Sequence, residues 1–581
     1  MEFLVGRGKS DITPFIPGIV MLGYGNPKNT VISVDTPISV RTFWIKSQSS
    51  LKQFLFINLE ICFITQALVD DVWQRIENEF ADHKLNRSQI IFSAQHTHSA
   101  PSGYTHYTIY NTPTEGFSSA VLNTLVNGII DSLKKAQQEF VASELTLKKG
   151  IIDLDVDISY NRSLKAHNNN EEVTTSLKKE EQSQAVNKQM NILEFKDERG
   201  LSGVITYFAV HCTNILWTNH YISPGNKGYA SIYLEEEINK QTGRKDFIAA
   251  FNQGDAGDVS PIYSPPWWQA FIPRNDLKMI KLSKENGHKQ FTEAINFLNN
   301  NGIKLTDDDM DSELIYIDMS NVLCDKKHLP KKYQHIEART SPGCLGVAFI
   351  RGSEGAGIVT PLAWIVIAAT LIVKYVELFL TLFKSEKWSA QIKRKYSSQD
   401  PKKIFVETGS KKILGTSNVL NLIVPSFVDA SIKYFKKIYK QGSAREHTWT
   451  QHILPIQISN IGGYYFVGIP AETTTMSGKR IRKALRDVFS NKDNFKDVIL
   501  CPYSNSYCGY ITTPEEYEKQ EYEGGHTLFG KWTQPGFQTE LVKLAEEMLK
   551  PKAERNLNRD LSPPLFSDYE LSIRSLNQTN L

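Results

Sequence analysis

Gln95-His96-Thr97-His98-Ser99-Ala100-Pro101 sets two histidines one residue apart, directly after the apolar run Ile90-Ile91-Phe92-Ser93-Ala94. Imidazole is a common metal ligand and can act as a base near neutral pH. Successive side chains of a strand point to opposite faces, so the spacing predicts that His96 and His98 look into one cavity. A His-rich surface loop is the plain alternative for such a pair taken alone. Four further stretches each place a reactive polar residue where an apolar run ends. Ala209-Val210-His211-Cys212 adds a third histidine. Asn252 to Pro261 (NQGDAGDVSP) follows the run Phe247 to Phe251 with a glycine-rich turn, then Ser260 before proline. Gly468-Ile469-Pro470-Ala471-Glu472 adds a carboxylate, and Ser506-Tyr507-Cys508-Gly509-Tyr510 a phenol. Two histidines and a carboxylate form a catalytic zinc set that leaves a position open for water. Each residue also has an ordinary structural role: His211 as a hydrogen-bonded core histidine, Glu472 as a helix N-terminal acid, Tyr510 as a core aromatic.

A serine hydroxyl is a poor nucleophile until a base takes its proton. The chain has no Gly-x-Ser-x-Gly elbow, and no Ser-His-Asp set stands out. Water on a zinc ion, acidified to a pKa of roughly 7, can supply that base. Donors near the site could then stabilise an oxyanion, each at about 2.7–4 kcal/mol of barrier. The other reading of Ser260-Pro261 is a turn.

These residues need elements that bring them together. Short apolar runs alternate with amphipathic helical stretches, as in Phe54 to Asn58 followed by Ala67 to Phe80. Further strand-like runs are Gly203 to Val210, Phe247 to Phe251, Gly463 to Ile469 and Asp497 to Leu500. The pattern predicts an α/β fold, a layered mixed sheet with helices, with the active site at strand ends. A chain of 581 residues can bury one large core or several domains. Hydrophobic content of 41% and charged content of 22% are those of an ordinary globular protein. A net charge of +3 and a sequence pI near 8.2 exclude nucleic acid as a general partner. Six scattered cysteines lack a CxxC pair, which argues against a thiolate zinc site or a disulfide scaffold. Cys324 and Cys344 alone have a spacing that hints at a bridge. The N-terminus reads as a first strand rather than a secretion signal. No internal repeat is evident. The polar run Asn168 to Asn187 reads as a solvated excursion, and the polar tail 551–581 as ordered only where it docks.

With these residues in hand, the sequence resembles the neutral, non-lysosomal ceramidases from residue 6 to Lys550. The resemblance rests on Gly6-Arg-Gly-Lys-Ser-Asp-Ile-Thr13, Gly23-Tyr-Gly-Asn-Pro27, QHTHSAPSGY from Gln95, YNRS at Tyr160–Ser163, Asn226-Lys-Gly-Tyr-Ala230, GDVSP at Gly257–Pro261, AETTTMSGKRIR at Ala471–Arg482 and YITTPEEYEKQEYEGGHTLFG at Tyr510–Gly530. It implies one Zn2+ per chain, with His96, His211, Glu472 and Tyr510 as ligands. It implies Ser260 as nucleophile, and His98, Arg162 and Tyr522 as the residues that hold substrate and stabilise the tetrahedral intermediate. It also implies hydrolysis of the N-acyl amide of ceramide-like sphingolipids to a sphingoid base and a fatty acid. Cys212 and Ile262 stand where the family usually has proline and asparagine, which puts substrate preference in doubt more than zinc binding. Residues 1–550 read as the catalytic domain, and the family's C-terminal β-sandwich has no counterpart in the tail. Two other readings stand beside this one: a zinc amidase for another N-acyl lipid or N-acyl amino acid, and an inactive membrane lipid-binding protein. Intact residues at all eight positions speak against the last.

The segment Ile358 to Phe383 is nearly all apolar and long enough for a bilayer, which takes roughly 20 residues. A single crossing would separate His96, His211 and Ser260 from Glu472 and Tyr510, so one site could not form. Thr370, Lys374, Glu377, Thr381 and Lys384 recur as a narrow polar stripe, and basic residues follow through Lys403. The expectation is a membrane-docking insertion over 358–403 that makes the protein peripherally membrane-associated, with the cytoplasmic side indicated by the missing secretion signal. A buried core helix or a homodimer contact is the alternative.

Overall fold

The computed structural model describes residues 2–263, 275–307, 309–352, 360–418, 430–440 and 447–576. Its framework is one four-strand unit used three times. In the first, Phe3–Asp11 pairs antiparallel with Ser39–Ser47, which pairs antiparallel with Gln53–Leu59, which pairs parallel with Ile90–Ala94. Val141–Ile151, Gln189–Asp197, Gly200–Phe208 and Ile248–Gln253 repeat this order and these directions. Met310–Asp318, Ile453–Ile461, Tyr464–Gly468 and Asp497–Cys501 do so again. The first two units share one sheet through the pairing of Phe3 with Ser143, and the third forms its own.

Parallel neighbours require a crossover, and each unit supplies it as a helix: Gln66–Glu79, Gly225–Thr242 and Thr475–Phe489. A second helix then packs beside the crossover: Ser119–Gln138, Asp276–Leu298 and Thr533–Met548. The α/β expectation therefore holds, and the expectation of no repeat is corrected at the level of topology. Periodic patterning is enough to specify each unit, so its residues need not be alike.

Strand alternation divides the core. In the first unit Trp44, Leu55, Ile57 and Leu59 face the helices, while Phe43, Ile45, Phe54 and Phe56 face the other way. There they meet Leu193, Phe195 and Ile205 of the second unit, and Ile461, Tyr464 and Phe466 of the third. Ring centroids are 4.9 Å apart for Phe43 and Phe195, and 5.0 Å for Phe56 and Phe466. Each such side chain contributes about 1.5–3 kcal/mol on burial. The units thus share a central core, and the loops after their parallel strands reach one site.

A buried ion cluster ties the first unit to the second. Arg41 is fully buried, 2.6 Å from Glu60 and 2.7 Å from Glu235 on the Gly225–Thr242 helix. Arg41→Met leaves buried Glu60 without its cation and Glu235 with Lys9 alone, at 2.6 Å. Chemical denaturation should show a loss of about 3–5 kcal/mol, the usual effect of removing one partner of a buried pair.

Two local expectations change, and the tail docks at one helix. The 168–187 run docks on the body: Asn169 donates to the Glu515 carbonyl at 2.7 Å, Asn170 to Glu516 at 3.2 Å, and Gln182 is buried. Cys324 and Cys344 are free thiols, as are the other four cysteines, and all six are buried. In the tail, Asp568–Arg574 forms a helix whose buried Arg574 donates to the His106 carbonyl at 2.8 Å.

Candidate active site

The strand before the paired histidines stops at Ala94, so strand alternation is not what brings them together. His96 instead adopts φ +69°, a left-handed conformation that costs an L-residue roughly 1–3 kcal/mol. Its amide donates to the Ile61 carbonyl at 3.0 Å, which holds the turn. The outcome matches the expectation by another route: the Nε2 atoms of His96 and His98 lie 3.1 Å apart. Gly23, at φ +128°, lets the His98 ring approach, since a Cβ there would lie 2.5 Å from it. His98 Nδ1 is buried without a hydrogen-bond partner among the described residues.

His211 follows Gly200–Phe208, and its Nδ1 is 3.0 Å from the Val259 carbonyl oxygen. His96 Nδ1 is 2.6 Å from that of Cys62. Each Nδ1 donates to its carbonyl, which leaves both Nε2 lone pairs available. They face one carboxylate: Glu472 Oε1 lies 3.4 Å from His96, and Oε2 3.1 Å from His211. Ligand atoms of the three residues all lie within 4.8 Å of one another, and all three are buried.

Burial lowers the His96 pKa and takes that of His211 down to about 4, beyond what Glu472 recovers. Burial opposes charge on Glu472 too, but His96, His211 and the Tyr507 hydroxyl hold it well below the usual carboxylate range. Neutral imidazoles and an ionised carboxylate are the forms that bind a divalent metal. With carbonyl-oriented histidines beside it, this donor set fits zinc.

Glu472–Thr473 pairs parallel with Tyr510–Ile511, which puts Glu472 opposite Tyr510. The Tyr510 hydroxyl accepts from Arg162 at 3.1 Å. Glu472 is bonded instead by two tyrosines that sequence reading did not single out: Tyr503 at 3.1 Å and Tyr507 at 2.5 Å. All three follow Asp497–Cys501, and a tyrosine cluster after a strand was the signal available. Tyr507→Phe should weaken divalent-metal binding at this cluster about 10–100-fold, as losing such an outer partner does, measured by competition with a chelator dye.

Val259–Ser260 pairs antiparallel with Tyr160–Asn161. The Val259 carbonyl that orients His211 therefore sits one residue from Ser260, whose Oγ accepts from the Ile262 amide at 3.2 Å. Asp258 locks three separate stretches together. Its carbonyl accepts from the Arg162 amide at 2.9 Å, and its carboxylate from Asn161 Nδ2 at 2.6 Å and the Thr475 amide at 2.8 Å. Arg162 is clamped by Glu523 at 2.8 Å and the Gly257 carbonyl at 2.9 Å, with its guanidinium 5.6 Å from the Tyr522 ring centroid. Tyr522 opens the short helix Tyr522–His526, its ring centroid 5.6 Å from that of Tyr510. All eight residues singled out from the sequence thus lie in one cluster. Tyr503, Tyr507, Asp258 and Glu523 support them.

The comparisons bear on this arrangement. A neutral ceramidase of Pseudomonas aeruginosa is 29% identical over 94% of this chain and 72% of its own length. One of Mycobacterium tuberculosis is 28% identical over 94% of this chain and 77% of its own. The crystal structure of the Pseudomonas aeruginosa neutral ceramidase superposes with a TM-score of 0.75 at 26% identity, covering 97% of this chain and 76% of that one. A structure described as ceramidase complexed with C2 gives a TM-score of 0.74 at 26% identity, over 94% and 75%. The family model "Neutral/alkaline non-lysosomal ceramidase, N-terminal" matches residues 3–426 and 417–539. With the family model spanning most of its length and the framework superposing on a family crystal structure, the chain belongs to the neutral/alkaline non-lysosomal ceramidases.

Proposed function

We propose that the protein hydrolyses the amide of ceramide-like N-acyl sphingoid lipids, with one zinc ion per chain held by His96, His211, Glu472 and Tyr510. One observation carries this reading: the buried His96–His211–Glu472 cluster lies one residue from Ser260, through the Val259 carbonyl. Family membership gives the reaction class. Zinc held by His96, His211, Glu472 and Tyr510 would supply Lewis acidity and a more acidic water at neutral pH. Ser260 Oγ forms the bond to the carbonyl carbon as its proton passes to a base in the site. Arg162, held by Glu523 and the Gly257 carbonyl with its guanidinium over the Tyr522 ring, donates together with Tyr522 and His98 to the oxygen that gains charge. Breaking the C–N bond releases the sphingoid amine with a proton, and water then cleaves the acyl–serine ester to the fatty acid. Burial of the cluster strengthens each of these interactions.

The test is a panel of ceramides, other N-acyl lipids and N-acyl amino acids given to the purified protein with and without chelator. Chelator-sensitive release of fatty acid from ceramides is the expected result. Release from N-acyl amino acids alone moves the substrate class, and release insensitive to chelator removes the zinc.

A further inference from the structure

Among the described residues, one helix is long and apolar enough to cross a bilayer, within Thr360–Leu380, and only 17% of its apolar window is buried. A core helix shows the reverse. Trp364, Ile365, Ile372, Tyr375, Phe379 and Phe383 are each 61% to 70% exposed. The polar stripe points inward from Thr370 to Glu377. Thr370 and Glu377 are buried, Lys374 lies 2.6 Å from Asp400, and Glu377 is held by Lys395 and by the Tyr396 hydroxyl at 2.7 Å. Lys395 also reaches Glu407 at 3.1 Å. These pairs fix rotation about the helix axis, so the apolar side is held outward. They also exclude a crossing, because the helix is bound along its middle to the 386–407 region of the same body.

We propose that this helix lies along an anionic lipid bilayer, its outward side at the boundary between headgroups and acyl chains. Lys384, Lys387 and Lys393 are exposed just beyond it, with Glu386 the acidic residue among them. That balance complements anionic headgroups. A second copy of the chain would bring the same cations face to face in a symmetric contact. Exposed tryptophan and tyrosine suit the headgroup level. The surface is also close to the site: the short helix Val347–Ile350 packs against both this helix and Tyr522–His526, with the Phe349 ring 4.3 Å from His526 and 5.7 Å from Tyr522. A lipid substrate taken from the docked bilayer has a short route to the candidate serine.

Co-sedimentation with phosphatidylcholine vesicles, with and without phosphatidylserine, tests this without requiring turnover, so failure of the catalytic reading would leave the result intact. Wild type should bind, and more tightly with phosphatidylserine. Combined Trp364→Ser, Ile372→Ser and Phe379→Ser should weaken binding by about a hundred-fold or more. Combined Lys384→Gln, Lys387→Gln and Lys393→Gln should lose only the preference for phosphatidylserine. Both variants should keep the wild-type melting temperature. Absence of wild-type binding, or unchanged binding in the serine variant, overturns the proposal. So does a wild-type dimer that the serine substitutions split while vesicle binding stays the same.

Discussion

Ser260→Ala should lower turnover of an N-acyl substrate by about a thousand-fold or more while fold and zinc content stay unchanged. The hydroxyl is a small part of its surroundings. Backbone pairing of Val259–Ser260 with Tyr160–Asn161 holds the segment, as do the Asp258 bonds to Asn161 and Thr475. None of these uses the Ser260 side chain. Its own acceptance from the Ile262 amide amounts to about 1 kcal/mol, too little to unfold the chain. The Val259 carbonyl that orients His211 is untouched, so the metal cluster keeps its geometry. Turnover, elemental analysis and thermal melting on one preparation separate the cases. Near wild-type turnover would assign the attack to water rather than to the serine.

His211→Ala should bring zinc from about one per chain to almost none and abolish activity with it. His211 is fully buried with its ring fixed through Nδ1, so alanine there removes a preset nitrogen from the cluster. Glu472 would keep Tyr503 and Tyr507 but lose a nitrogen partner. His96→Ala should act alike, and alanine there keeps the left-handed backbone and its cost. In the unaltered protein, dialysis against chelator should remove activity, and added zinc should restore it. Unchanged metal content in both alanine variants would place the metal elsewhere.

Much of the site was legible in the chain. Apolar runs of strand length end at His96, His211, Ser260, Glu472 and Tyr510, and that pattern is local, so sequence alone carries it. The family motifs then supplied roles for these residues and for His98, Arg162 and Tyr522. Strand alternation, however, does not join His96 to His98, because the strand ends at Ala94. A left-handed turn held by the Ile61 carbonyl joins them, and no periodicity signals such a turn.

What the sequence determined by itself was the set of reactive residues, the α/β class and the amphipathic patterns, because each depends on spacing within about 20 residues. Tertiary structure decided the rest. The threefold unit shows only in strand pairing, since three unlike sequences satisfy one topology. The bonds of Tyr503 and Tyr507 to Glu472 depend on loops that meet only when the third unit folds. The polar stripe of Thr360–Leu380 was visible, but its direction was not. Asp400 draws Lys374, and Lys395 with Tyr396 draws Glu377, inward because a buried charge needs a partner, and that leaves the apolar side of the helix facing out.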